Sequence, residues 1–173
     1  MSTRTYPLVN ASSATLLKQQ EQIANLIIQV EKAKTRIWAS YFIVALSVYE
    51  NHYERIKEIL DALIRARQRG VEVRMIVDDF RNIQDNFSVN NIAAKYLLNH
   101  GVPVKRYQSD SKQSSHCKEW IIDDDIQITG SGNLTVGGLL RNNEMALMVT
   151  SKDLNKLLSS RYQYLWDAAQ TIA

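Results

Sequence analysis

The sequence is short of residues that many other architectures need. It has one cysteine, Cys117, among 173 residues, which excludes an internal disulfide and a zinc site built on several cysteines. A lone free thiol fits a reducing compartment. Six glycines and two prolines are too few for a linker-rich or collagen-like chain. No apolar run approaches the ~20 residues that a membrane span needs. The longest, residues 37–46, is interrupted by Ser40 and Tyr41, so stable membrane insertion is not expected. Residues 1–7 lack the apolar stretch of a secretion signal. A cytoplasmic location is therefore expected, with a removed presequence left open.

Hydrophobic residues make up 45% of the chain and charged residues 23%, the balance of a soluble globular protein. Typical domains run to about 100–200 residues, so residues 1–173 are expected to form one domain. The net charge is +3 and the sequence pI about 9.0, which weakly favours an anionic partner such as nucleic acid or an anionic lipid surface. The charge is spread along the chain and not gathered into a tail.

Helical and strand patterns alternate. Leu16, Leu17, Ile23, Leu26, Ile27 and Val30 recur at helical spacing, predicting a helix over residues 13–34 capped by Ser12 or Ser13. Residues 36–44 read as a buried strand. Residues 52–69 read as a second helix, closed by a basic last turn and Gly70. Strands are expected at 71–78, 102–107, 117–122, 126–130 and 143–150. Pro103 suggests an edge position or a strand start for the second of these. Further helices are expected at 89–100 and 152–169, with one or two helical turns at 134–140. Residues 79–88 and 108–115 read as polar loops. The strands at 117–122 and 126–130 flank the acidic turn Asp123-Asp124-Asp125 and predict a hairpin. The whole predicts an α/β chain, an α/β/α sandwich on a mainly parallel, mixed sheet.

The chemistry concentrates in Ser115-His116-Cys117-Lys118-Glu119-Trp120-Ile121-Ile122-Asp123 and in Gly130-Ser131-Gly132-Asn133. On a strand, residues i and i+2 point the same way. His116 and Lys118 thus share one side, and Cys117 faces the other in a packing role. An imidazole beside an ammonium suits a phosphate, because the lysine neutralises an oxyanion while a neutral imidazole attacks phosphorus. The small residues Gly130 and Gly132 allow backbone to approach a ligand, and Ser131 and Asn133 offer polar side chains. Trp38, Trp120 and Trp166 read as core. The triple-Asp turn reads as solvated, not as a metal site.

This run (His116, one residue, Lys118, four residues, Asp123, six residues, then Gly130-Ser131-x-Asn133) resembles the phospholipase D superfamily signature. Residues 69–74, 101–104, 133–135 and Asn143-Glu144 are similar to the flanking elements of that family. The resemblance implies a metal-independent phosphodiesterase, or a phosphatidyl or nucleotidyl transferase, that needs no cofactor. It assigns His116 as the nucleophile of a covalent phosphohistidine, Lys118 and Asn133 to charge stabilisation, Glu144 to orienting the histidine, and Ser131 and Asp123 to the motif. In the family a histidine from a second motif protonates the leaving oxygen. The other two histidines here, His52 and His100, begin no second motif. The chain therefore resembles the short single-motif branch, in which two identical subunits share one active site. That branch includes a small bacterial endonuclease and the mitochondrial cardiolipin hydrolase-like nuclease group. Lys105, Arg106 and Lys112 are candidates for lining the substrate path, with Gly130 and Gly132 at the phosphate. A nuclease acting on DNA or RNA is the leading expectation. A phospholipid hydrolase or phosphatidyl transferase, and a non-catalytic nucleic-acid-binding module, are the alternatives.

Overall fold

The computed structural model describes residues 8–78, 89–107 and 114–172. Its elements run β1 (Ser13–Lys18), α1 (Gln19–Lys32), β2 (Arg36–Tyr41), α2 (Tyr53–Gln68), β3 (Glu72–Asp78), α3 (Val89–Asn99), β4 (Val104–Tyr107), β5 (Lys118–Ile122) and β6 (Ile126–Gly130). A π-type turn (Gly137–Arg141) leads to β7 (Met145–Thr150), α4 (Lys152–Ala168) and β8 (Gln170–Thr171). The strands form one sheet in the order β1-β7-β6-β5-β2-β3-β4-β8.

The expected α/β class and single mixed sheet are what the chain builds. The balance of directions differs from the expectation of a mainly parallel sheet. Among the described residues, β2–β3 and β3–β4 pair parallel and the remaining neighbours pair antiparallel. A crossover helix yields a parallel pair only where the two strands it joins become neighbours in the sheet. Here α2 and α3 do so. The β5–β6 hairpin, and the returns to β1, β7 and β8, do not.

Alternation along the strands separates two cores. Ile37, Ala39, Val73, Met75, Trp120 and Ile122 join α1, α2 and α3 in the larger one. Trp38, Ile76 and Ile121 pack against Tyr162 of α4 in the smaller. Trp38 stacks on Tyr162 with centroids 5.2 Å apart. Trp38 and Trp120 are buried, as expected, while Trp166 is half-buried against the smaller cluster.

The helix expected from residue 13 begins at Gln19. Residues 13–18 pair instead with β7. Leu17 is 3% exposed and Leu16 is 56% exposed, a strand's alternation that two adjacent leucines disguise. The Glu21 carboxylate accepts the Lys18 N–H at 3.2 Å and closes the first turn of α1. Gly70 and Gly101 both stand at positive φ after α2 and α3, the left-handed position that ends a helix without a Cβ penalty. The short β8, which pairs with β4, carries too little pattern to be read from sequence. The loop expected at 79–88 lies outside the described residues, as do residues 108–113, Lys112 among them.

Candidate active site

Strand β5 runs antiparallel to β2, with Lys118 opposite Tyr41. The start of β5 therefore lies at the carboxyl end of the parallel strands, the edge where open α/β sheets bind ligands. Gly130 at the end of β6 pairs with Ala146 near the start of β7. His116, Lys118, Ser131, Asn133 and Glu144 are thus brought to one edge of the sheet by three neighbouring strands.

His116 is exposed and Lys118 is 5% exposed. The Lys118 Nζ sits 2.7 Å from His116 Nδ1, 3.3 Å from His116 Nε2 and 3.0 Å from the His116 carbonyl oxygen. An ammonium only donates, so Nδ1 facing it acts as acceptor. Burial pushes the Lys118 pKa down, against the opposing influence of Cys117 and Glu144. The Phe42 ring lies 4.5 Å from the His116 ring, centroid to centroid, and Lys118 Nζ is 5.4 Å from the Phe42 centroid. Phe42 carries no chemical signal in the sequence. It follows β2, and its N–H donates to the Cys117 carbonyl at 3.0 Å.

Glu144 does not meet His116 in this chain. Its carboxylate accepts from the Ser131 hydroxyl and, at 3.2 Å, from Asn142 Nδ2. Ser131 and Glu144 are joined, and Asn142 is a partner that sequence reasoning missed. Asn133 Oδ1 accepts the Ile43 N–H at 3.3 Å. The two motif glycines make room for backbone. A Cβ on Gly130 would stand 2.6 Å from Met145 O, and one on Gly132 would stand 2.8 Å from Gly138 O. The unassigned Gly138 is equally constrained, since its Cβ would stand 2.7 Å from Asn133 N. The adjacent pair Gly137-Gly138 just after the motif was the signal for it.

Asp123 is not at this edge. It follows β5, roughly 23 Å from His116 at strand rise, and stands at positive φ, which a short polar side chain tolerates. Its carboxylate accepts from the N–H groups of Lys34, Thr35 and Arg36 at 2.8–3.2 Å and from the Thr35 hydroxyl at 2.9 Å. Burial pushes its pKa up, but those hydrogen bonds outweigh it, and the carboxyl sits below its ordinary value. Asp124 lies 3.5 Å from Arg36, so the turn serves the sheet.

Lys105 and Arg106 point to opposite faces. Lys105 Nζ donates to the Trp166 carbonyl at 2.9 Å. Arg106 Nη2 donates to Asn91 Oδ1 at 2.5 Å. Cys117 faces away from His116, as expected, but toward a charged partner. Arg161 Nη2 is 2.8 Å from its sulfur, and Arg161 Nη1 is 2.7 Å from the buried Glu119. Burial pushes the Glu119 carboxyl up, and Arg161 opposes it.

A family model described as "Cardiolipin synthase, PLD-like domain" matches residues 26–166. The chain is 26% identical over 113 residues to cardiolipin synthase A of Buchnera aphidicola, covering 65% of this chain but 23% of that protein. It is 30% identical over 100 residues to the mitochondrial cardiolipin hydrolase of Canis lupus familiaris, covering 58% of this chain and 37% of that one. The fold matches the crystal structure of Nuc, a phospholipase D family member from Salmonella typhimurium, with a TM-score of 0.74 at 22% identity, covering 92% and 96% of the two chains.

Proposed function

The chain belongs to the phospholipase D-like family, and from that premise we propose that it is a phosphodiesterase that works through a phosphohistidine, with nucleic acid as its substrate. The observation that carries this reading is the Lys118–His116 contact, 2.7 Å from Nζ to Nδ1, at an edge shared with Asn133, Ser131 and Glu144. An entering phosphate takes the Lys118 hydrogen bonds onto a non-bridging oxygen. A ring nitrogen of His116 then forms the N–P bond as the P–O bond to the leaving group breaks. The departing oxygen takes a proton from a second histidine. Water next attacks phosphorus, giving its proton back to that histidine as the N–P bond breaks.

One chain supplies one motif histidine, so the second is His116 of another copy across a two-fold axis. The net charge of +3 supports a polyanionic substrate. A second reading, phosphatidyl transfer or hydrolysis, is supported by the relatives named as cardiolipin synthase and cardiolipin hydrolase. The aligned stretch is a minor part of each of those proteins. Under either reading, charge stabilisation by Lys118 and Asn133 takes the place of a metal clamp.

The test offers labelled single-stranded and duplex DNA, RNA and cardiolipin vesicles in parallel, with and without EDTA. Cleavage of DNA or RNA that persists in EDTA is expected. Turnover of cardiolipin alone selects the second reading, and activity restored only by Mg²⁺ or Mn²⁺ overturns the mechanism. Mixing wild-type with His116→Ala subunits should lower activity more steeply than the wild-type fraction falls. Strict proportionality rules out a shared site.

A further inference from the structure

Beyond the motif, a buried polar pair stands behind the site. Asn90, on the first turn of α3, is 5% exposed, and Asp78, the last residue of β3, is 4% exposed. Neither has a place in the family signature read from the sequence. Asn90 Oδ1 accepts the Val44 N–H at 2.8 Å. Its Nδ2 donates to the Phe42 carbonyl at 3.0 Å and to the Asp78 carbonyl at 2.9 Å.

The N–H of Val44 and the C=O of Phe42 flank one residue, Ile43. That is the pair of groups a strand presents to a parallel neighbour. The parallel pairing of β2 with β3 stops at Tyr41 and Val77. The Asn90 amide therefore stands in for a strand neighbour one step beyond the end of the ladder, and fixes residues 42–44 together with the single parallel bridge that joins Val44 to Leu134. Three parts of the site hang on that segment. The Phe42 ring packs on His116, the Phe42 N–H bonds Cys117 O, and the Ile43 N–H bonds Asn133 Oδ1. From the other side, the Asp78 carboxylate accepts the N–H of Ser115, the residue before His116.

We propose that Asn90 and Asp78 are positioning residues that lock the His116 segment, the Phe42–Val44 segment and Asn133 into one geometry. The proposal rests on the phosphodiesterase reading for its kinetic arm alone. A buried amide that makes three bonds has few alternatives, and the loss of one leaves backbone groups unpaired. A displacement near 1 Å costs up to about 10²-fold in rate.

The experiment compares wild type with Asn90→Ala, Asn90→Ser, Asp78→Ala and Asp78→Asn, each first shown to melt cooperatively. Three quantities are read: amide exchange at Val44 and Ser115, the imidazole NMR signals of His116, and kcat separately from KM. For Asn90→Ala, Val44 exchange should rise at least about 10-fold and the His116 signals should broaden or split, as expected when a local lock opens. On the best substrate, kcat should fall about 10–100-fold with KM within about twofold. Asp78→Asn keeps an acceptor for Ser115 and should recover most of what Asp78→Ala loses. If the alanine variants fail to fold, Asn90→Ser and Asp78→Asn carry the test, with faster exchange at Val44 expected in the former. Unchanged exchange and unchanged His116 signals in folded variants overturn the proposal, as does a full kcat. If wild type cleaves no phosphodiester, the functional reading fails, while exchange and the His116 signals still decide the positioning role.

Discussion

At the start of β5, His116 is exposed and its ring contacts a lysine whose charge burial disfavours. At the end of the same strand, Asp123 has its carboxylate filled by three successive backbone N–H groups and a hydroxyl. Both residues belong to one motif-like run, yet they are held in opposite ways. The first end keeps polar groups near one another with capacity left for a ligand. The second spends a carboxylate on backbone donors and fastens the β2 entry to the β5–β6 turn. A fixed interval in sequence can therefore record two separate demands, one for chemistry and one for the fold that carries it.

The sharpest way to break this contrast is His116→Ala. Turnover should fall to background in a phosphodiester assay, since the change removes the nucleophile and, in the proposed dimer, the proton donor. The side chain is exposed, so the melting temperature should stay within about 2 °C, the effect of a surface substitution near ±0.5 kcal/mol. A large loss of stability would erase the distinction between the two ends.

Lys118→Ala comes next. Loss of one donor to a developing oxyanion should lower kcat by about 10²–10³. Its stem is buried, so some stability is lost as well. If KM alone changes, Lys118 binds substrate and transition state equally and the charge-stabilising role is wrong.

Asp123→Asn should invert the pattern, with kcat of the folded protein unchanged and stability reduced by about 1–3 kcal/mol, the range for weakened charged hydrogen bonds. The pH dependence follows from the lowered carboxyl. A folded pKa below the unfolded value means that the contribution is present above the ordinary carboxyl value of 3.8 and is lost as pH falls through the folded value. Thermal melts from pH 7 down to pH 3 should show the gap between wild type and variant constant at first and closing at the acid end. A gap that widens on acidification would contradict the clamp.

Much of the site was legible in the sequence because it is local. His116 and Lys118 share a strand face by period alone, and the interval to Ser131 and Asn133 spans one hairpin. Glu144 was expected to orient His116, but it bonds Ser131 and Asn142 instead, through side-chain contacts that no periodicity records. Phe42 and Asn90 were invisible for the same reason, their roles being set by chain segments distant in sequence. In the fold, α2 and β6 were read almost to the residue. The strand at 13–18 was absorbed into a helix because Leu16 and Leu17 satisfy both periods, and only pairing with β7 decides between them. The sheet directions depend on which strands become neighbours, a choice that alternation of helix and strand does not contain.

The smallest effect on activity is expected at Lys105, and it tests whether a side chain's commitments separate the two kinds of residue. From sequence, a lysine on a strand leading to a Ser-rich loop looks like a phosphate guide. In the fold, Lys105 lies on the α4 face, where Nζ donates to the Trp166 carbonyl at 2.9 Å and stands 5.0 Å over the Trp166 ring. A carbonyl at a helix end and an indole face together use the ammonium much as the backbone donors use Asp123. Lys105→Ala should therefore leave KM within about twofold and kcat intact. It should lower the melting temperature by about 1–4 °C, since a cation–π contact is worth about 0.5–1 kcal/mol at a partly exposed site. Steady-state kinetics and a thermal melt on one preparation decide it. A tenfold rise in KM at unchanged melting temperature would mean that the lysine leaves Trp166 for substrate, and that commitments in the free protein do not identify which cations serve the fold.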